Sequence, residues 1–79
     1  MITEDKLLIT IASALEVDKS IINIDSSSEN IEKWDSLGHL AILSALDEIF
    51  SGAIADIPEI ANSYSVRSIF DILKDNKLI

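Results

Sequence analysis

Asp35, Ser36 and His39 carry a carboxylate, a hydroxyl and an imidazole within one helical turn, in the run Trp34-Asp35-Ser36-Leu37-Gly38-His39-Leu40. These are the groups of a hydrolase triad: nucleophile, base and orienting acid. A triad also needs an oxyanion hole and a substrate cleft. Three local residues in a chain of 79 can hardly supply either. His39 is the only histidine, and there is no cysteine, so disulfides, thiolate nucleophiles and Cys/His metal sites are excluded. No glycine-rich phosphate loop is present. The chain is therefore expected not to be an enzyme and to bind no metal.

Ser36 remains as a position. It stands at the start of an expected helix and after a long loop. Free N–H groups and the positive dipole end at a helix N-terminus favour an attached phosphate, and a serine there is accessible to a modifying enzyme. An ordinary capping serine fits the same position.

The elements around it read from caps and periods. Thr3 is a good N-cap, with Glu4 and Asp5 favouring the dipole, and Leu8, Ile11 and Leu15 share a face with Leu7 and Ala12 beside it. A first helix over 4–16 is predicted. Residues 17–34 have no period. The cluster Ser26, Ser27, Ser28, Glu29 and Asn30 is turn-prone, while Val17, Ile21, Ile22, Ile24 and Ile31 are spaced to pin an ordered loop to the core. The second helix begins at Asp35 or Ser36 and runs to about residue 50. Ile42, Leu43, Leu46, Ile49 and Phe50 form its buried stripe, and Gly52 is a candidate C-terminal cap. Pro58 suits the first turn of a short third helix over 58–62. Ser65 caps a fourth, with Val66, Ile69, Phe70 and Leu73 inward; Lys74 and Lys77 suit its C-terminal end, and Asn76 or the chain end is expected to stop it. The expected fold is all-α: a four-helix bundle, one domain over 1–79, with a long loop between the first two helices and a short third helix.

Fourteen acidic residues against six Lys plus Arg give a formal charge of −8, with 48% hydrophobic residues. That hydrophobic fraction supports a compact core rather than disorder. The negative field disfavours nucleic acid and anionic membrane as partners. It suits basic proteins, and it equally suits plain solubility. The apolar run over 7–15 superficially resembles a signal-peptide core, but Glu4 and Asp5 precede it rather than a basic run, and it is too short to span a bilayer. A monomeric, cytoplasmic protein is expected.

Asp35-Ser36-Leu37 resembles the attachment motif of the acyl carrier protein family. Ala45-Leu46-Asp47-Glu48-Ile49-Phe50 resembles the Ala-Leu-Glu-Glu-x-Phe ending of the same helix in that family. Leu15-Glu16-Val17-Asp18 is similar to its Leu-Gly-Val-Asp, and Ile24-Asp25-Ser26-Ser27 to its loop. Asp56-Ile57-Pro58 is similar to its Glu-Ile-Pro, and Tyr64-Ser65-Val66 to the Thr-Val start of its last helix. The matches run in order along nearly the whole chain. The resemblance implies that Ser36 is modified with 4′-phosphopantetheine by a phosphopantetheinyl transferase using coenzyme A. It also implies that the arm carries acyl or aminoacyl thioesters between enzymes. The thiol would belong to the cofactor, which reconciles thioester chemistry with a chain that has no cysteine.

The resemblance further implies partner contacts at Asp35, Leu37, Leu40, Asp47 and Glu48, made with acyl ligases, acyltransferases or synthases that have basic docking faces. Asp35 also suits an N-cap. Leu37 and Leu40 fall off the buried stripe, so packing against the loop is the other reading for them. His39 is expected to be packed or loop-bonded, and Trp34 and His39 occupy hydrophobic-staple positions if Asp35 is the cap. Gly38 either leaves room for the arm or a partner backbone, or is simply tolerated in a first turn. Ile42, Leu46, Ile54, Ala61 and Ile69 are candidates for lining an acyl cavity and equally for an ordinary core. The sequence departs from fatty-acid-synthesis carriers in having Gly38, Ala41 and Ser44 where those carry acidic residues. That departure points to a specialised pathway. Acyl cargo is favoured over aminoacyl cargo (D-alanyl or peptidyl), and an acidic helical adaptor without an arm is the reading from another class.

Overall fold

The computed structural model describes residues 3–79. Its α-helices are α1 (Glu4–Leu15), α2 (Ser36–Ile49) and α3 (Val66–Asp75). Each starts at a side-chain cap. Thr3 Oγ1 accepts from the Lys6 N–H at 3.2 Å, Asp35 Oδ1 from the Gly38 N–H at 2.8 Å, and Ser65 Oγ from the Ser68 N–H at 3.1 Å. Each such bond satisfies a donor that the first helical turn leaves without a partner.

The three helices also end alike. Val17 N–H donates to the Ala12 carbonyl, Gly52 N–H to Asp47, and Leu78 N–H to Leu73. The residue before each donor lies in the left-handed region: Glu16 at φ 58°, Ser51 at φ 55° and Lys77 at φ 60°. This is the Schellman closure, normally built on glycine. Gly52, the expected cap, has φ 89°, but it supplies the final N–H rather than the first left-handed residue.

The segment expected as a short third helix is not α-helical. Residues Ala53–Asp56 and Pro58–Asn62 form two consecutive 3₁₀ helices. Their bonds span three residues, as in Ile60 N–H to Ile57 O and Ser63 N–H to Ile60 O. Neither has a side-chain cap, and Pro58 interrupts the donor series between them. Runs this short close more readily in 3₁₀ than in α geometry. A third 3₁₀ helix, Lys19–Ile21, lies in the long loop under an Asp18 cap. The fold is all-α, with no strand among the described residues.

The core consists of Leu7, Ile11, Ala12 and Leu15 of α1, Ile42 and Leu46 of α2, and Val66, Ile69 and Leu73 of α3. Leu8, expected on the buried face of α1, is half-buried, and Leu7 takes its place. In α2 the buried stripe is His39, Ile42 and Leu46, while Leu43, Ile49 and Phe50 are only partly covered. The long loop is ordered: Ile22, Ile31 and Trp34 are buried beneath it. An isolated antiparallel bridge between Ser27 and Ser65 fastens it to α3, through Ser28 N–H to Tyr64 O at 3.0 Å and Val66 N–H to Ser26 O at 2.9 Å. Among the described residues no helix is long and apolar enough to cross a membrane.

Candidate functional site

The long loop delivers the chain to the start of α2 through Trp34, which is 1% exposed. Asp35 then leaves the loop in an extended conformation and caps the helix. Its second carboxylate oxygen stays available at the surface, where Asp35 is exposed. Ser36 is the first residue of α2 and is exposed. With the Gly38 N–H taken by Asp35, the N–H groups of Ser36 and Leu37 have no intrahelical partner. The Ser36 hydroxyl thus stands at the positive end of a helix of 14 residues.

Gly38 has a definite cause. A Cβ on it would collide with the backbone carbonyl of Lys33 and come within 2.9 Å of Leu15 Cδ2. The room it leaves is filled by this chain's own loop, not by an arm or a partner, so both earlier explanations are replaced. Only a glycine lets the loop fold back this closely onto the first turn of α2.

His39 is 2% exposed. Its Nδ1 accepts from Trp34 Nε1–H at 3.0 Å, and its Nε2 lies 3.0 Å from the carbonyl of Ile60. An indole nitrogen can only donate, so Nδ1 is the acceptor and Nε2–H donates to Ile60. The Trp34 and His39 rings lie edge to edge at 17°, with centroids 6.2 Å apart. Tyr64 covers the imidazole face at 4.0 Å. His39 is therefore packed, with both ring nitrogens bonded inside the fold. The partners of the imidazole are thus Trp34 and Ile60, not Ser36 or Asp35.

Leu37 and Leu40 are 76% and 61% exposed, so they do not pack against the loop. They are exposed in the same first turns of α2 as Ser36. Asp47 is half-buried, and its Oδ1 accepts from the Ala55 N–H at 3.3 Å, tying α2 to the first of the paired 3₁₀ helices. Glu48 is exposed and borders a different cavity, between α1 and α2, with Lys6 and Ile9. The five candidate contact residues thus do not share one face: Asp35, Leu37 and Leu40 cluster near Ser36, Asp47 faces the 3₁₀ pair, and Glu48 faces α1.

Between α2 and the 3₁₀ pair lies an apolar groove of about 340 Å³, bordered by Leu43, Ile54, Ile57, Pro58, Ile60 and Ala61 among others. Leu43 follows Ser36 by two helical turns, about 11 Å along the axis at ~1.5 Å per residue. Of the candidate cavity residues, Ile54 and Ala61 border this groove; Ile42, Leu46 and Ile69 are closed core. The groove and the Ile60 partner of His39 were not read from the sequence, since no local pattern marks a carbonyl 21 residues away. Between Lys33 and Arg67 the charged residues are Asp35, Asp47, Glu48, Asp56 and Glu59, with no Lys or Arg among them. No group of three or more His, Asp or Glu among the described residues could hold a metal ion. Neither a family model, nor a curated protein, nor a solved structure matches the chain.

Proposed function

We propose that the chain is an acyl carrier that holds its cargo as a thioester on a 4′-phosphopantetheine arm at Ser36. The observation that carries the reading is that Ser36 is exposed in a first turn whose other polar groups have internal roles. Asp35 caps, Gly38 admits Lys33, and His39 is buried and bonded twice. The free N–H groups of Ser36 and Leu37 suit a phosphodiester there. In the modification, Ser36 Oγ bonds to the phosphorus of the pantetheine half of coenzyme A. The bridging P–O bond breaks, adenosine bisphosphate leaves, and the hydroxyl proton passes to a base of the transferase. When bound, the arm supplies the thiol that the chain lacks.

In this reading the paired 3₁₀ helices stand in the place of a third helix, giving a four-helix carrier arrangement. The groove of about 340 Å³ beside Leu43 then shelters an acyl chain. Leu37 and Leu40 meet an apolar spot on partner enzymes, and the wholly acidic stretch between Lys33 and Arg67 meets their basic rims. Those partners are a phosphopantetheinyl transferase, acyl ligases, and acyltransferases or synthases. The protein works as a cytoplasmic monomer in a specialised pathway, since the middle of exposed α2 bears Ala41 and Ser44 rather than acids.

Incubation with coenzyme A and a broad-specificity phosphopantetheinyl transferase tests the reading by intact mass. Gain of one phosphopantetheine by the wild type, and none by Ser36→Ala, is the expected result. No gain with several transferases overturns it and leaves an acidic adaptor that never carries an arm. Loading by aminoacyl ligases alone would make the cargo D-alanyl or peptidyl.

A further inference from the structure

The outer wall of the groove, residues 53–62, has little to hold its shape. It is built from two 3₁₀ helices, whose hydrogen bonds are poorer in geometry than those of an α-helix. Among the described residues, two side-chain hydrogen bonds tie it to α2. Asp47 to the Ala55 N–H is long, at 3.3 Å, and lies at the surface. His39 to the Ile60 carbonyl is 3.0 Å and buried. Water competes for the first and not for the second, so the buried bond is the stronger tie. Ile60 is also a groove residue, and His39 belongs to the same first turns of α2 as Ser36.

We propose that His39 is a positioning residue, a latch that fixes the distance between the 53–62 wall and α2 and so sets the aperture of the groove. The imidazole is itself held in register from the other side by Trp34 and covered by Tyr64. The latch therefore joins the attachment end of α2 to the groove wall through one rigid, planar group. Broken, it leaves the wall anchored by the side chains of Ile54, Ile57 and Ile60 and by the long surface bond from Ala55 to Asp47, and the groove widens. The occupant, an acyl chain, rests on the carrier reading; the latch does not.

Amide hydrogen exchange on the unmodified full chain tests it. In His39→Phe, which keeps a stacked ring but has no donor, the amides of Ile57, Ile60 and Ser63 should exchange about tenfold faster, the loss of roughly one buried hydrogen bond. Ile11 and Leu15 in α1 should keep wild-type rates. The neutral fluorophore N-phenyl-1-naphthylamine should bind the variant more strongly than the wild type. Uniform acceleration in all three helices would make His39 merely structural and overturn the proposal, as would unchanged rates at 57–63. If His39→Phe does not fold, His39→Gln carries the test. Gln retains a donor for Ile60, so the 57–63 amides stay slow while the Trp34 indole N–H exchanges faster; the reverse pattern overturns the latch. None of these readouts uses the arm, so failure of the carrier reading, seen as an unmodified Ser36, is separately visible.

Discussion

Gly38 lies so near the backbone carbonyl of Lys33, five residues earlier, that a Cβ on it would collide with that carbonyl, so the loop entering α2 leaves no room for a side chain at this position in the first turn of α2. Gly→Ala in a helix ordinarily stabilises by up to about 1 kcal/mol. At Gly38 the sign should reverse. The added methyl meets a backbone carbonyl, which cannot rotate away as a side chain would, and overpacking of this kind costs about 1–3 kcal/mol. Denaturant unfolding of Gly38→Ala should show that loss, and a gain in stability would refute the close approach.

Glu16 closes α1 in the left-handed region, at φ 58°. A residue with a Cβ is disfavoured there by roughly 1–2 kcal/mol, partly offset in glycine by its greater unfolded freedom. Glu16→Gly should therefore stabilise the fold by about 0.5–1 kcal/mol. In a domain of this size that corresponds to a rise in melting temperature of about 2–8 °C. A lower melting temperature would be the contrary result.

Asp18 caps the loop 3₁₀ helix, and its carboxyl is held below the ordinary carboxylate range, first by the Ser20 backbone N–H and then by the Ser20 side chain. A depressed folded value contributes stability above the unfolded value, about 3.9, which is lost as pH falls through the lower folded value. Asp18→Asn should thus be less stable than wild type near neutrality, and the two should converge only in stronger acid, as pH falls through the depressed folded value. Thermal unfolding at several pH values reads the difference, which should be absent at the acidic end.

Leu40 is 61% exposed and touches no closed core, so Leu40→Ser should change stability by no more than about 0.5 kcal/mol. On the carrier reading it should nevertheless slow acyl transfer to a partner enzyme, with modification at Ser36 still going to completion. Unaltered transfer kinetics would remove Leu40 from the docking surface.

Much of the fold was legible because helix starts are local. Thr3, Asp35 and Ser65 each cap within three residues of themselves, and that chemistry can be read directly from residue type. Helix ends were less legible. Residue type points to Gly52 as a cap, yet the left-handed positions are filled by Glu16, Ser51 and Lys77. Their own preferences are weak, and packing of the flanking segments overrides them. The 3₁₀ character of 53–62 was also hidden, since a proline and spaced isoleucines suit either helical geometry.

The sequence by itself determined an all-α chain with Ser36 at the head of its clearest helix. It also determined the strongly acidic balance of the chain, because caps, periods and composition act over a few residues. Only the tertiary structure decided why the neighbours of Ser36 are what they are. Gly38 answers to Lys33 across the loop junction, and His39 answers to Ile60 across the groove. The physical reason is range. A carbonyl brought close by chain folding imposes sterics and hydrogen-bond demand without leaving any periodic trace in the residues that meet it.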